Sequence, residues 1–174
     1  MSIQAAIAKH VAEMRLVHLR PAISGEEMVR TMFVGQEIVP LLDPAKLPVS
    51  HEGYQLAHVR PRLDAFIAGR KLNIALQPRD KDISAHFART DPVTDEVWDI
   101  RCTDPPQIRV FGRFVDLDTY VALTWQYRGN LNTNDDWTDE LSRFKAEWRK
   151  LFPNEPLFAP GKVEKYVSQP FKSV

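Results

Sequence analysis

A chain of 174 residues with 44% apolar and 26% charged residues is long enough to bury a core and too apolar to be disordered throughout. Its 23 Lys plus Arg equal its 23 Asp plus Glu, so the net charge is zero, which argues against a large non-specific nucleic-acid footprint and leaves room for a local patch. The sole cysteine, Cys102, excludes an intrachain disulfide and a multi-cysteine zinc site.

The first ten residues lack the charged start and apolar core of a secretory signal. No run reaches the roughly 18 to 20 apolar residues needed to span a bilayer. No membrane partner is expected, and the cytosol is the expected compartment, where an unpaired cysteine stays reduced.

Ile3, Ile7, Val11, Met14 and Val17 recur at helical spacing, so a first helix is expected to run toward Arg20, where Pro21 stops it. Ser24-Gly-Glu-Glu27 has the form of a capping box and predicts a second helix that buries Met28, Val29, Met32 and Phe33. Pro40, Pro44 and Pro48 predict an extended loop. A third helix is expected over Arg62–Ala68, stopped by Gly69. Leu72, Ile74 and Leu76 alternate as in a strand, and Asp80-Lys-Asp82 reads as a turn. Residues 85–90 fit neither pattern.

The sheet signal is clearest at Val97–Cys102, Gln107–Val115 and Thr119–Arg128, three strand-like runs whose short links favour an antiparallel meander. Pro105-Pro106 closes the first run, and Asp116-Leu-Asp118 is short enough for a hairpin. In the middle run Ile108, Val110 and Phe114 share one face, and Arg109, Phe111 and Arg113 share the other. Trp137, Leu141, Phe144, Trp148 and Leu151 then form the stripe of an amphipathic helix from about Trp137 to Phe152, with Asp135 and Asp136 at its start. The tail from Asn154 is expected to be extended and docked through Phe158, Tyr166 and Phe171.

The expected fold is α+β: N-terminal helices, a central antiparallel β-meander and a C-terminal amphipathic helix packed on the sheet. Its parts are a helical stretch 1–70, a sheet-plus-helix stretch 71–153 and a Pro-rich tail 154–174, together one compact unit.

The leading candidate site is the set Arg101, Arg109, Phe111, Arg113, Trp125, Tyr127 and Arg128. Guanidiniums grip phosphates in pairs, and aromatic faces stack bases. Arg109 and Arg113 could stabilise charge in a metal-free phosphodiester cleavage, with Tyr127 or His86 moving protons. The competing reading is a solvated sheet face whose arginines pair with Asp99, Asp116 or Asp118. Asp91, Asp95, Glu96 and Asp99 have no metal-loop spacing, and Asp91-Pro-Val-Thr-Asp95 reads as a turn entering the Trp98 strand, so no metal is expected. His10, His18, His51, His58 and His86 form no ligand pattern and read as ordinary polar or packing residues. Cys102 reads as a small buried hydrophobe. No nucleotide-binding or nucleophile-elbow motif is present, and no cofactor is expected.

Val97-Trp-Asp-Ile-Arg101, Ile108-Arg-Val-Phe-Gly-Arg-Phe114, Tyr120-Val-Ala-Leu-Thr124 and the closing helix together resemble the RelE/HigB-type toxins and phage Gp49-like proteins. The resemblance covers residues 96–152. It implies an arginine-bearing sheet that supports an mRNA-cleaving surface, with Arg109 and Arg113 as the positions carried over. The chain departs from that family in having Tyr127-Arg128-Gly129 in place of paired lysines, and in its length. Three readings stay open. One is an RNA-binding or RNA-cleaving protein, and the second is a non-catalytic module that binds a protein partner through an exposed apolar patch. The third is a small-molecule enzyme with a pocket between the N-terminal helices and the sheet. Oligomeric state is left open.

Overall fold

The computed structural model describes residues 2–43, 56–79 and 82–174. Pro44, Pro48, His51 and the expected turn at Asp80-Lys81 lie outside the described residues. Alternating side chains in strands β6 (Ile108–Asp116) and β7 (Thr119–Tyr127) give each strand two apolar faces, so both faces of this hairpin need a cover. Strand β5 (Trp98–Cys102) pairs antiparallel with β6 and completes the expected meander.

The sheet extends further than the meander. Among the described residues it has eight strands in the order β1-β2-β7-β6-β5-β4-β3-β8. The added strands are β1 (Leu16–His18), β2 (Thr31–Gly35), β3 (Leu72–Ala75), β4 (Phe87–Arg89) and β8 (Phe171–Ser173). Strand β2 pairs parallel to β7, and β3 pairs parallel to both β4 and β8. The sheet is therefore mixed, with the antiparallel meander at its centre.

Helices cover both faces. On one, α1 (Ile3–Ala12) and α3 (Asn134–Leu151) pack over Val97, Phe111, Val121 and Leu123. On the other, α2 (Val59–Ile67), the 3-10 turn Val39–Leu42 and the short helix α4 (Val163–Tyr166) close over Trp98, Ile100, Val110, Phe114 and Tyr120. No helix among the described residues is long and apolar enough to cross a membrane.

Several expectations need correction. The first helix ends at Ala12 because Met14 turns left-handed at φ 56°, letting the N–H of Arg15 reach the carbonyl of His10 at 2.8 Å. The second helix does not form. Thr31–Gly35 pairs with β7 instead, which buries Met32 and Val34 completely on one face. Long-range pairing with β7 overrides a local capping pattern there. Residues 87–89 form β4, and the tail carries α4 and β8 rather than being wholly extended. Helix α3 starts at Asn134, capped by Thr133 and Asp136 in a reciprocal box. It lies over the face that holds Phe111 and Arg113, while Ile108, Val110 and Phe114 pack beneath α2.

Two close approaches fix local geometry. Gly112 leaves room for the Tyr120 ring and the Val121 carbonyl, which a Cβ there would meet. Tyr120 then donates to the Trp98 carbonyl at 2.9 Å. Gly69, at φ 70°, ends α2 with the N–H of Arg70 donating to the Ala65 carbonyl at 3.0 Å, and a Cβ on it would run into Val29 at 2.7 Å.

Arg30, whose side chain is fully buried, joins four segments. Its Nε donates to Asp118 at 3.2 Å, Nη1 to the carbonyls of Phe66 and Arg70 at 3.4 and 3.0 Å, and Nη2 to the Ser168 carbonyl at 3.0 Å. Arg30→Met should cost about 3 kcal/mol or more in urea unfolding, because it strands a carboxylate and three carbonyls. Met14 is 77% exposed and pays a backbone cost without packing in return. Met14→Gly should therefore raise stability by up to about 1 kcal/mol in the same assay.

Candidate functional site

The arginine face is largely internal. Arg109 is 3% exposed, and its Nε lies 3.1 Å from Asp99, itself 1% exposed. Burial pushes the Arg109 guanidinium down in pKa, and Asp99 opposes that shift. Arg113 donates twice to the Asp95 carbonyl, at 3.1 and 2.8 Å, and lies 5.5 and 4.9 Å from the ring centroids of Phe144 and Trp148 on α3. Burial lowers its pKa to about 10, so it remains a cation at neutral pH. Phe111 is completely buried, with its ring edge-on to Trp137 at 6.0 Å.

Arg101, the register partner of Arg109, is half-buried and donates to the Asp82 carbonyl at 2.9 Å. Arg128 donates to the Leu131 carbonyl at 2.6 Å and lies over the Trp137 ring at 5.9 Å. Its N–H meets the Gln107 carbonyl at 2.7 Å, and its charge, like that of Arg101, acts on Arg109. The structure thus pairs Arg101 with Arg109 across β5 and β6, with Arg128 near enough for its charge to act on Arg109. Trp125 and Tyr127 belong to the opposite face, where their rings meet at 5.2 Å. Arg109, Arg113 and Tyr127, the expected catalytic trio, do not converge on one space.

The other candidates are engaged in the fold. His86 Nδ1 accepts the Asn73 N–H at 2.8 Å. Cys102 is 1% exposed, and burial raises its thiol to about 12, which leaves it protonated and unreactive at neutral pH. The acidic series disperses: Asp95 pairs with Lys145 at 2.7 Å, Asp91 with Arg79 at 3.7 Å and Glu96 with Arg89 at 3.0 Å. Among the described residues, no group of three or more His, Cys, Asp or Glu could hold a metal ion.

An open apolar feature lies elsewhere. A groove of about 460 Å³ runs between α1 and the sheet, lined by Ile7, Ala8 and Val11 on one side and by Phe33, His18 and Val115 on the other. His18 and Phe33 are half-buried ring partners, 4.8 Å apart and tilted by 31°, that form part of its floor. Gln4, Asp116, Thr31 and Thr119 supply its polar lining, and Gln4 donates to Asp116 at 3.3 Å. Sequence reasoning missed this groove because it assigned Phe33 to a helix and placed Val17 on the first helix. The usable signal was local: an exposed small residue, Ala8, beside the Ile7 and Val11 stripe.

Comparison of the chain with protein-family models, with curated proteins and with solved structures finds no match. The fold and the geometry above are therefore what bear on function.

Burial lowers the pKa of His18 and of His86 below the ordinary 6.5, and the charges of Arg20 and Arg62 respectively add to that shift. The unfolded chain then binds more protons than the folded one as pH falls below 6.5, so stability is full above that value and declines as acid is added. Melting temperature should fall between about pH 7.5 and 5.5, and a His18→Phe/His86→Gln variant should show a shallower fall.

Proposed function

We propose that this chain is a non-catalytic docking module that binds a partner protein through the groove between α1 and residues of β1, β2, β6 and β7. The observation that carries this reading is the groove itself: about 460 Å³, apolar on both sides and floored by half-buried rings. Apolar surface left open in this way is characteristic of protein contact sites. The zero net charge of the chain favours it further. Against RNA cleavage of the RelE/HigB type stands the engagement of Arg109 and Arg113 with Asp99 and the Asp95 carbonyl, on the sheet face opposite the ring of Tyr127.

One observation favours a second reading, RNA binding without cleavage. Arg101 and Arg128 lie near enough to Arg109 for their charges to act on it, and Arg128 lies over Trp137, which lines a cleft of about 350 Å³ with the exposed Arg79. Bases could stack on that indole, and the two partly exposed guanidiniums could meet phosphates.

The two readings separate in one experiment. Ala8→Arg places a long cation in the groove from an exposed helical position and should leave the melting temperature within a few degrees of wild type. A cross-linked partner protein should be retained by the wild type and by Arg101→Ala/Arg128→Ala, and lost by Ala8→Arg. RNA binding that weakens with salt and is lost in Arg101→Ala/Arg128→Ala would overturn the docking reading in favour of the second.

A further inference from the structure

Helix α1 has two unequal flanks. On one, His10 Nε2 lies 2.7 Å from the Leu151 carbonyl and the His10 ring meets Phe152 edge-on at 5.5 Å, so the C-terminal end of α3 closes that side. On the other flank, Gln4, Ile7, Ala8 and Val11 face the groove. These four recur at three- and four-residue steps, so one whole side of α1 is presented as a wall. Opposite this wall the groove is bounded by residues of β1, β2, β7 and β6.

The floor decides the shape of the occupant. It consists of side chains, the rings of Phe33 and His18 with Thr31, Val115 and Thr119. An added strand needs the backbone N–H and C=O groups of a sheet edge, and those project sideways from β1 rather than up from its face. An occupant seated on side chains, alongside a helix of ten residues, is itself matched by a helix. The lining decides its charge. Asp116 is the only formally charged carboxylate or cation lining the groove among the described residues, and it is exposed.

Resting on the docking reading above, we propose that the groove takes an amphipathic helix of the partner. Its apolar stripe lies on Phe33, His18 and the α1 wall, and a lysine or arginine at one end of the stripe meets Asp116. Apolar anchors at helical spacing supply the affinity, and the rim cation sets direction.

The probe is a fluorescent synthetic peptide of about 15 residues, roughly four helical turns, with leucines on one face and one lysine beyond them. Two comparison peptides share its composition: one scrambled to destroy the helical stripe, one alternating as a strand. Anisotropy titrations use the whole chain. The helical probe should bind at least about tenfold tighter than either comparison peptide, and Ala8→Arg should weaken it at least about tenfold. Asp116→Asn should weaken it about two- to fivefold and flatten its dependence on salt, as expected for an exposed charge pair. Equal binding of all three peptides, or preference for the strand peptide, would overturn the helix proposal. If the strand peptide is favoured and Ala8→Arg still abolishes its binding, the docking reading stands and only the helix is wrong. If no peptide responds to Ala8→Arg, both fall.

Discussion

The guanidinium of Arg30 is the knot on which the rest of the chain is tied. It is sealed from solvent and lies 5.6 Å from the ring centroid of Phe66. Burial lowers its pKa, and Asp118 opposes that shift. Each of its hydrogen bonds reaches a different stretch of chain: the β6–β7 turn through Asp118, the end of α2 through Phe66, the approach to β3 through Arg70, and the tail through Ser168. A planar group with five donors can satisfy the orphan carbonyls of a helix end and a carboxylate at once, which a lysine could not. Asp118 serves the same knot from the other side. It adopts φ 56°, accepts the N–H of Ser168 at 2.8 Å, and its own N–H reaches the Tyr166 carbonyl at 2.9 Å.

Covering both faces of the sheet forces charged groups inside, and the structure answers each with a partner. Arg109 meets Asp99, and Arg89 meets Glu96, which also accepts from the Tyr166 hydroxyl at 2.7 Å. Burial comes first among the causes that raise the Tyr166 hydroxyl to about 12, followed by its bond to Glu96. Where β2 ends at Gly35, side chains take over from backbone: Glu37 accepts the N–H of Trp125 at 3.1 Å and Arg143 donates to its carbonyl at 2.9 Å. Arg143 also binds Glu140, whose pKa burial raises and whose Oε1 accepts from Thr124 at 3.0 Å. These pairs chiefly offset desolvation, and they fix which residues lie opposite one another. They also hold Arg89 and Arg109 inside the fold, so the function is argued from an apolar groove rather than from these buried arginines.

Much of the fold was legible. The meander, the turn at Asp116-Leu-Asp118, the stop at Gly69 and the stripe from Trp137 to Leu151 each rest on period, turn chemistry or a cap, which are properties of neighbouring residues. The parallel pairing of β2 with β7 was not legible, since its partners lie some ninety residues apart and a capping pattern at Ser24–Glu27 pointed elsewhere. The candidate site was legible only as a set of residue types. Alternation correctly placed Arg109, Phe111 and Arg113 on one face, but alternation says nothing of what covers that face.

By itself the sequence determined the run of strands and helix across residues 97–152, the absence of an intrachain disulfide, the balance of charge and the two-sided character of Ile108–Asp116. Only the tertiary structure decided which side α3 would take. The long stripe of α3 can pack on either face of a sheet whose faces are both apolar. It lies over Phe111 and Arg113 because α2, the tail and the Arg30 knot close the face of Val110 and Phe114. That choice turned a face of arginines into an interior and left the open surface at α1, where the chain leaves Phe33 and His18 half-covered.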